Sequence, residues 1–378
     1  YGIRAYSNTI VRNNTIQCNE MEWAIYVDND CIVDSNTISG NFSGRVFEVQ
    51  GDSTIIRDNL VTNSGGGPGI YANGGSGLEF KNNTFFHTGT GWLASINSAD
   101  VKLHHNLYEG NSGRGIYFTS QSSGQIYNNT LVSNSGDYGI YQSNQTSVPV
   151  YNNIAQGFTN GIYVENTIAN YNLNNNLFWD ISGNLFEGSA SPPLVGQMID
   201  QNVNGNTSDI YNNIYFDPLF VHPDTNNYNI QAGSPAVNAG DASLSDPDGS
   251  DSDIGAYYYH IYVVMDHTAL DNTDDINGPY RVNATLSSPA GATLTGSVHY
   301  AVDGGSYAAL AMTAANNDTF YADISGQALN TTIQYYISAT DGDHTSTLPH
   351  NIPAGGHAFF VSLVTQFAQL GGAHMTQI

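Results

Sequence analysis

Three side chains able to move protons recur at nearly equal spacing in this chain: Arg57, Lys81 and His104 lie 24 and 23 residues apart. Glu79 and Lys102 stand two residues before Lys81 and His104. If the chain advances one layer per repeat, the three stack on consecutive layers about 5 Å apart. Cations that close weaken each other's hold on a proton, which suits a lysine to general-base work, and a second cation can neutralise a substrate carboxylate. Arg57, Lys81, Lys102, His104 and Glu79 are therefore the candidate catalytic residues. The competing reading is a solvated face on which Glu79 pairs Lys102 and nothing reacts.

Two other groups carry binding chemistry. A recurring Gly-Ile-Tyr phrase places Tyr71, Tyr117, Tyr141 and Tyr163 at its third position. Stacked phenols offer ring faces and hydroxyls to a carbohydrate, and they are equally what a strand chooses to pack on its neighbours. The loop Asp246, Asp248, Asp251, Asp253 alternates carboxylates around Gly249. That resembles the oxygen spacing of a Ca²⁺ loop without the bidentate Glu at its twelfth position, so the two readings are a structural Ca²⁺ site and a plain acidic turn, and no other cofactor is expected. The eleven histidines show no zinc spacing, and His104 and His105 are expected on opposite faces of a strand. Of the two cysteines, Cys18 and Cys31, Cys31 falls on an inward position and reads as a buried free thiol; the alternative is a disulfide, which their different positions on adjacent coils disfavour. Sequons at Asn13, Asn41, Asn82, Asn128, Asn144, Asn206, Asn283, Asn317 and Asn330 are candidate glycosylation sites, in a chain rich enough in Asn, Ser and Thr for many to arise by chance.

The elements that must position these residues follow from a longer register. Asn recurs every 22 to 24 residues, at Asn14, Asn36, Asn59, Asn83, Asn106, Asn129, Asn153 and Asn176. Three residues before it runs an apolar column from Val11 to Leu173, and two after it another from Ile16 to Phe178. The Ile of the Gly-Ile-Tyr phrase makes a third. A repeat this short cannot bury its own apolar face, so each must be one coil of a solenoid. Period-two alternation within each phrase and the absence of a helical period make the coils short strands, hence an all-β chain folded as a parallel β-helix. The Asn is expected at the corner, in the left-handed conformation, with its amide bonded to the Asn of the adjoining coils.

The periodicity fails after Phe186, so residues 186–259 read as an irregular final coil and a C-terminal cap of the solenoid spanning 1–259. Alternating segments then resume with hairpin turns such as Asp303-Gly304-Gly305, predicting a β-sandwich over 260–363 and a tail over 364–378. With 33 acidic and 8 basic residues, the formal charge of −25 disfavours nucleic acid and anionic lipid as partners, and no apolar run predicts membrane insertion.

The phrases Asp217-Pro218-Leu219-Phe220, Gly233-Ser234-Pro235-Ala236-Val237 and Asp253-Ile254-Gly255-Ala256-Tyr257, with the coils before them, resemble secreted right-handed parallel β-helix repeat proteins of bacteria and archaea. Thr332-Ile333-Gln334-Tyr335-Tyr336-Ile337-Ser338 and its neighbours resemble appended immunoglobulin-like or fibronectin-III-like modules. The resemblance implies an extracellular or cell-surface setting and no single activity. The Asn-Thr-Asp, Asp-Asp and Gly-His-Gly set of polygalacturonase-like hydrolases is not found as a set. Two expectations follow: a structural or adhesive component of a cell surface or filament, with copies of itself associating head to tail through residues 1–23, or a polysaccharide lyase acting on an acidic glycan at the Arg57, Lys81, Lys102, His104 face.

Overall fold

A computed structural model describes residues 2–64, 67–87, 91–110, 112–119, 122–143, 148–165, 172–188, 192–259, 263–288, 293–315, 318–342, 345–349 and 356–362. The sequons Asn144 and Asn317 and the tail 364–378 lie outside them. The chain divides into two compact units, Tyr1–Tyr259 and His260–Ile378.

The first unit is a parallel β-solenoid. Strand Ile32–Asp34 pairs with Ile10–Arg12 on one side and Ile55–Arg57 on the other, each parallel, and the rule repeats coil after coil. All three apolar columns face inward. Val33, Ile56, Phe80, Leu103, Ile126 and Val150 are wholly buried, as are Ile38, Val61, Phe85, Tyr108 and Leu131 on the second wall. Ile25, Phe47, Ile70, Ala94 and Ile116 line the third, where Ala94 continues the column although its phrase lacks the Ile. Gly161 precedes Ile162 because the coils approach closely there: a Cβ would lie 2.5 Å from the Leu185 carbonyl and 2.6 Å from the Phe178 ring.

The Asn ladder is continuous. Asn106 donates from its backbone N and from Nδ2 to Asn129 Oδ1, at 3.1 and 3.0 Å, and its Nδ2 also reaches the carbonyls of Phe80 and His104. The same pattern runs from Asn14 to Asn176, and then bridges 37 residues to Asn213, whose Nδ2 donates to the buried carboxylate of Asp209. The amide dipoles therefore all point one way and end on an anion, which strengthens each bond in the chain. One expectation is corrected: the left-handed residue is not the ladder Asn but the one before it, Asn13, Ser35, Asp58, Asn82, His105, Asn128, Asn152, Asn175 and Asn212. The turn is made there, and the ladder Asn re-enters the strand with its amide directed into the wall.

Residues 217–259 run back along the flank of the solenoid rather than lying over its end. Phe220, Tyr228, Ile230, Ala236, Val237 and Ile254 cover the outer face of Leu107, Val132, Ile154, Leu177 and Ile214, and the Tyr257 hydroxyl comes within 3.4 Å of Thr84 Oγ1. The second unit holds two antiparallel sheets built around strands Tyr280–Ser287 and Thr319–Ile324, and Thr295–Val302 and Thr331–Thr340. Val282, Val298, Ile324, Ile333, Tyr335, Ile337 and Phe359 form their shared core.

Candidate functional site

Two outward columns of the solenoid carry the residues singled out by chemistry. In the first, Arg12, Asp34, Arg57, Lys81, His104, Tyr127, Tyr151 and Asn174 occupy successive rungs. Lys102 sits in register with Glu79 one rung away, but Glu79 pairs elsewhere: its carboxylate lies 3.0 Å from Lys81 Nζ and 3.2 Å from His104 Nε2. Arg12 and Arg57 both hold Asp34, at 2.7 and 3.4 Å. Burial raises the Glu79 carboxyl, and hydrogen bonds from Lys81 and His104 outweigh it, so it ionises more readily than usual. Burial holds His104 below its ordinary value, and pushes His105 down to about 4.

His104 and His105 do not point to opposite faces. Their Nδ1 atoms meet at 2.8 Å, because the left-handed backbone at His105 breaks the strand alternation there. The His104 ring also stacks on Tyr127 at 4.6 Å, and Tyr127 on Tyr151 at 5.2 Å. The ring faces on this column are thus turned to one another.

The second column runs Arg4, Tyr26, Glu48, Tyr71, Ser95, Tyr117, Tyr141, Tyr163, Glu187. Tyr141 stacks on Tyr163 at 4.6 Å, Tyr117 meets Tyr141 edge-on at 5.3 Å, and Trp92 stacks on Tyr117 at 5.0 Å. Trp92 and Tyr138 belong to the same surface and were missed, because neither stands in the Gly-Ile-Tyr phrase whose spacing marked the others.

The acidic loop is not gathered around one point. Asp246 Oδ2 accepts from Asp253 N, Asp253 accepts from Asn238 N and Tyr259 N, and Asp248 Oδ1 accepts from Ser250. Among the described residues no set of three or more His, Cys, Asp or Glu side chains is placed to hold a metal ion. The four aspartates, Asp251 included, belong to a folded turn in which burial pushes Asp246 up to about 7, with the charges of Asp248 and Asp251 adding to it, and Asp253 up to about 8, with the charges of Asp246 and Asp248 adding to it.

Among the sequons, Asn13, Asn41, Asn82, Asn283 and Asn330 are exposed. Asn128 is 3% exposed, with Nδ2 donating 2.9 Å to the Asp253 carbonyl, and the Asn206 Nδ2 is buried as well. A folded chain has no room for a glycan on either nitrogen. Both Cys18 and Cys31 are free thiols, and Cys31 is buried.

The right-handed β-helix region matches residues 1–91 and 46–214, more than half of the chain, and this protein belongs to that family. No curated protein matches it.

Proposed function

We propose that this chain is an extracellular structural or adhesive rod, carried on a cell surface or in a filament. The observation that supports it best is the pairing of the outward cations. Lys81 is held by Glu79, Arg12 and Arg57 by Asp34, and Arg114 by Asp137 at 2.7 Å, while the rings along the same faces stack on each other. A general base must be free to take a proton from its substrate. Side chains tied coil to coil instead stiffen a face that makes contacts. The second unit, read as an immunoglobulin-like or fibronectin-III-like sandwich, adds a spacer or docking module to such a rod. Incubation with a panel of uronate polymers should release no unsaturated, ultraviolet-absorbing sugar; release from any of them would refute the reading.

One observation favours a lyase. Lys102 is exposed and, among the described residues, makes no ion pair. On that alternative Lys102→Ala and Lys81→Ala would each abolish product release while leaving the melting temperature unchanged.

A further inference from the structure

The second outward column solves one binding problem repeatedly. The Arg4 guanidinium lies 4.5 Å from the centre of the Tyr26 ring, and that of Arg114 lies 5.5 Å from Trp92. The fullest case is Arg45, which stacks on Tyr71 at 3.5 Å and bonds the carboxylate of Glu48, the rung next to Tyr71. A ring face and a carboxylate on adjacent rungs thus hold a guanidinium by its plane and by its N–H edge together.

A ring and a carboxylate stand on adjacent rungs again at Tyr163 and Glu187, in the reverse order along the solenoid. Among the described residues no guanidinium lies over the Tyr163 ring. No Lys or Arg occurs between Arg114 and Arg281, and Asn160 and Asn184 stand two positions before Ile162 and Phe186, the place Arg45 holds before Phe47. Tyr163 and Glu187 are half-buried. Among the described residues the ring contacts of Tyr163 are Tyr141, stacked at 4.6 Å, and Tyr138, edge-on at 5.3 Å, and Glu187 makes no ion pair. Residues 115–259 carry 13 Asp and Glu and no Lys or Arg, so the surroundings attract a cation too.

We propose that Tyr163 and Glu187 form a seat for an arginine side chain supplied by a partner protein. This deepens the reading of the molecule as an adhesive rod, on which it rests, by naming the chemistry of what the rod adheres to. The test is calorimetric titration of the whole chain with an arginine-rich peptide and with a lysine-rich peptide of equal length, at about 0.15 M salt to suppress distant charge. The arginine peptide should bind more tightly, because a planar guanidinium stacks and an ammonium does not. Tyr163→Leu and Glu187→Gln should each weaken it about 3- to 5-fold, the range of an exposed cation–π contact. Tyr163→Phe, which keeps the ring face, should bind like the parent, and so should Asp224→Asn, which removes a carboxylate outside the column. Equal affinity for the two peptides, or equal losses in Glu187→Gln and Asp224→Asn, would show attraction to net charge alone and overturn the seat. Tighter binding of an uncharged glycan at Tyr163 would overturn it as well. Release of unsaturated sugar would defeat the rod reading without touching these peptide affinities, so the two failures are distinguishable.

Discussion

Tyr108 stacks on Phe85 at 5.0 Å in the middle of the core, yet its hydroxyl is buried and has no hydrogen-bond partner among the described residues. Burial drives its ionisation far above the usual phenol range. An unpaired buried hydroxyl costs about 1–3 kcal/mol, so Tyr108→Phe should stabilise the fold by about 1 kcal/mol, read as a higher urea midpoint with unchanged slope. Asp253 makes a pH prediction. Both it and Asp246 bind protons more tightly folded than unfolded, so the stability they contribute is full below the ordinary value of 3.8 and is lost as pH rises through about 7 and about 8. His104 and His105 are depressed and act oppositely, losing their contribution as pH falls below 6.5. Comparing variants removes that background. Between about pH 5 and 8.5 the melting temperature of Asp253→Asn should decline less than the parent's; parallel declines would contradict the assignment.

At the scale of elements, the Asn doublets divide their labour. In Asn128-Asn129, Asn152-Asn153 and Asn175-Asn176 the second Asn builds the ladder, while the first makes the left-handed turn and ties down the flanking strap. Asn128 donates to the Asp253 carbonyl, Asn175 to that of Ala239 at 3.0 Å, and Asn152 Oδ1 accepts from Asp241 N at 2.8 Å. Asn152→Ala should cost about 1–3 kcal/mol for the orphaned amide and about 1 more for a left-handed Ala. Asn152→Gly should recover only the second part. Faster amide exchange confined to residues 236–256 in both variants would place the loss in the strap. The ladder's end makes a parallel case: Asp209 also accepts from Gly196 N and Tyr211 N, so Asp209→Ala should lower stability by about 3 kcal/mol or more, removing acceptors from four buried or half-buried donors. A loss under 1 kcal/mol would mean that water replaces the carboxylate.

For the whole molecule, 33 acidic against 8 basic residues make self-repulsion the larger electrostatic effect, since exposed pairs such as Arg281 with Asp323 contribute little. Raising salt from about 0.01 M to about 0.5 M should therefore raise the melting temperature, by screening repulsion more than it weakens those pairs. A fall would assign the ion pairs the larger share.

The 22-to-24-residue register determined the solenoid, because strict repetition leaves stacking as the only way to bury Val33, Ile56, Phe80 and their successors. It also placed Arg57, Lys81 and His104 on consecutive rungs, a consequence of coil length alone. Partner choice was beyond it: whether Glu79 meets Lys102 across a rung or Lys81 two residues along depends on side-chain direction, which spacing does not encode. The strap's path back along the flank, the left-handed residue ahead of each ladder Asn, and Asn213 as ninth member across a 37-residue excursion all rest on contacts distant in sequence. Such contacts are decided when one surface covers another, after every local pattern has already been satisfied.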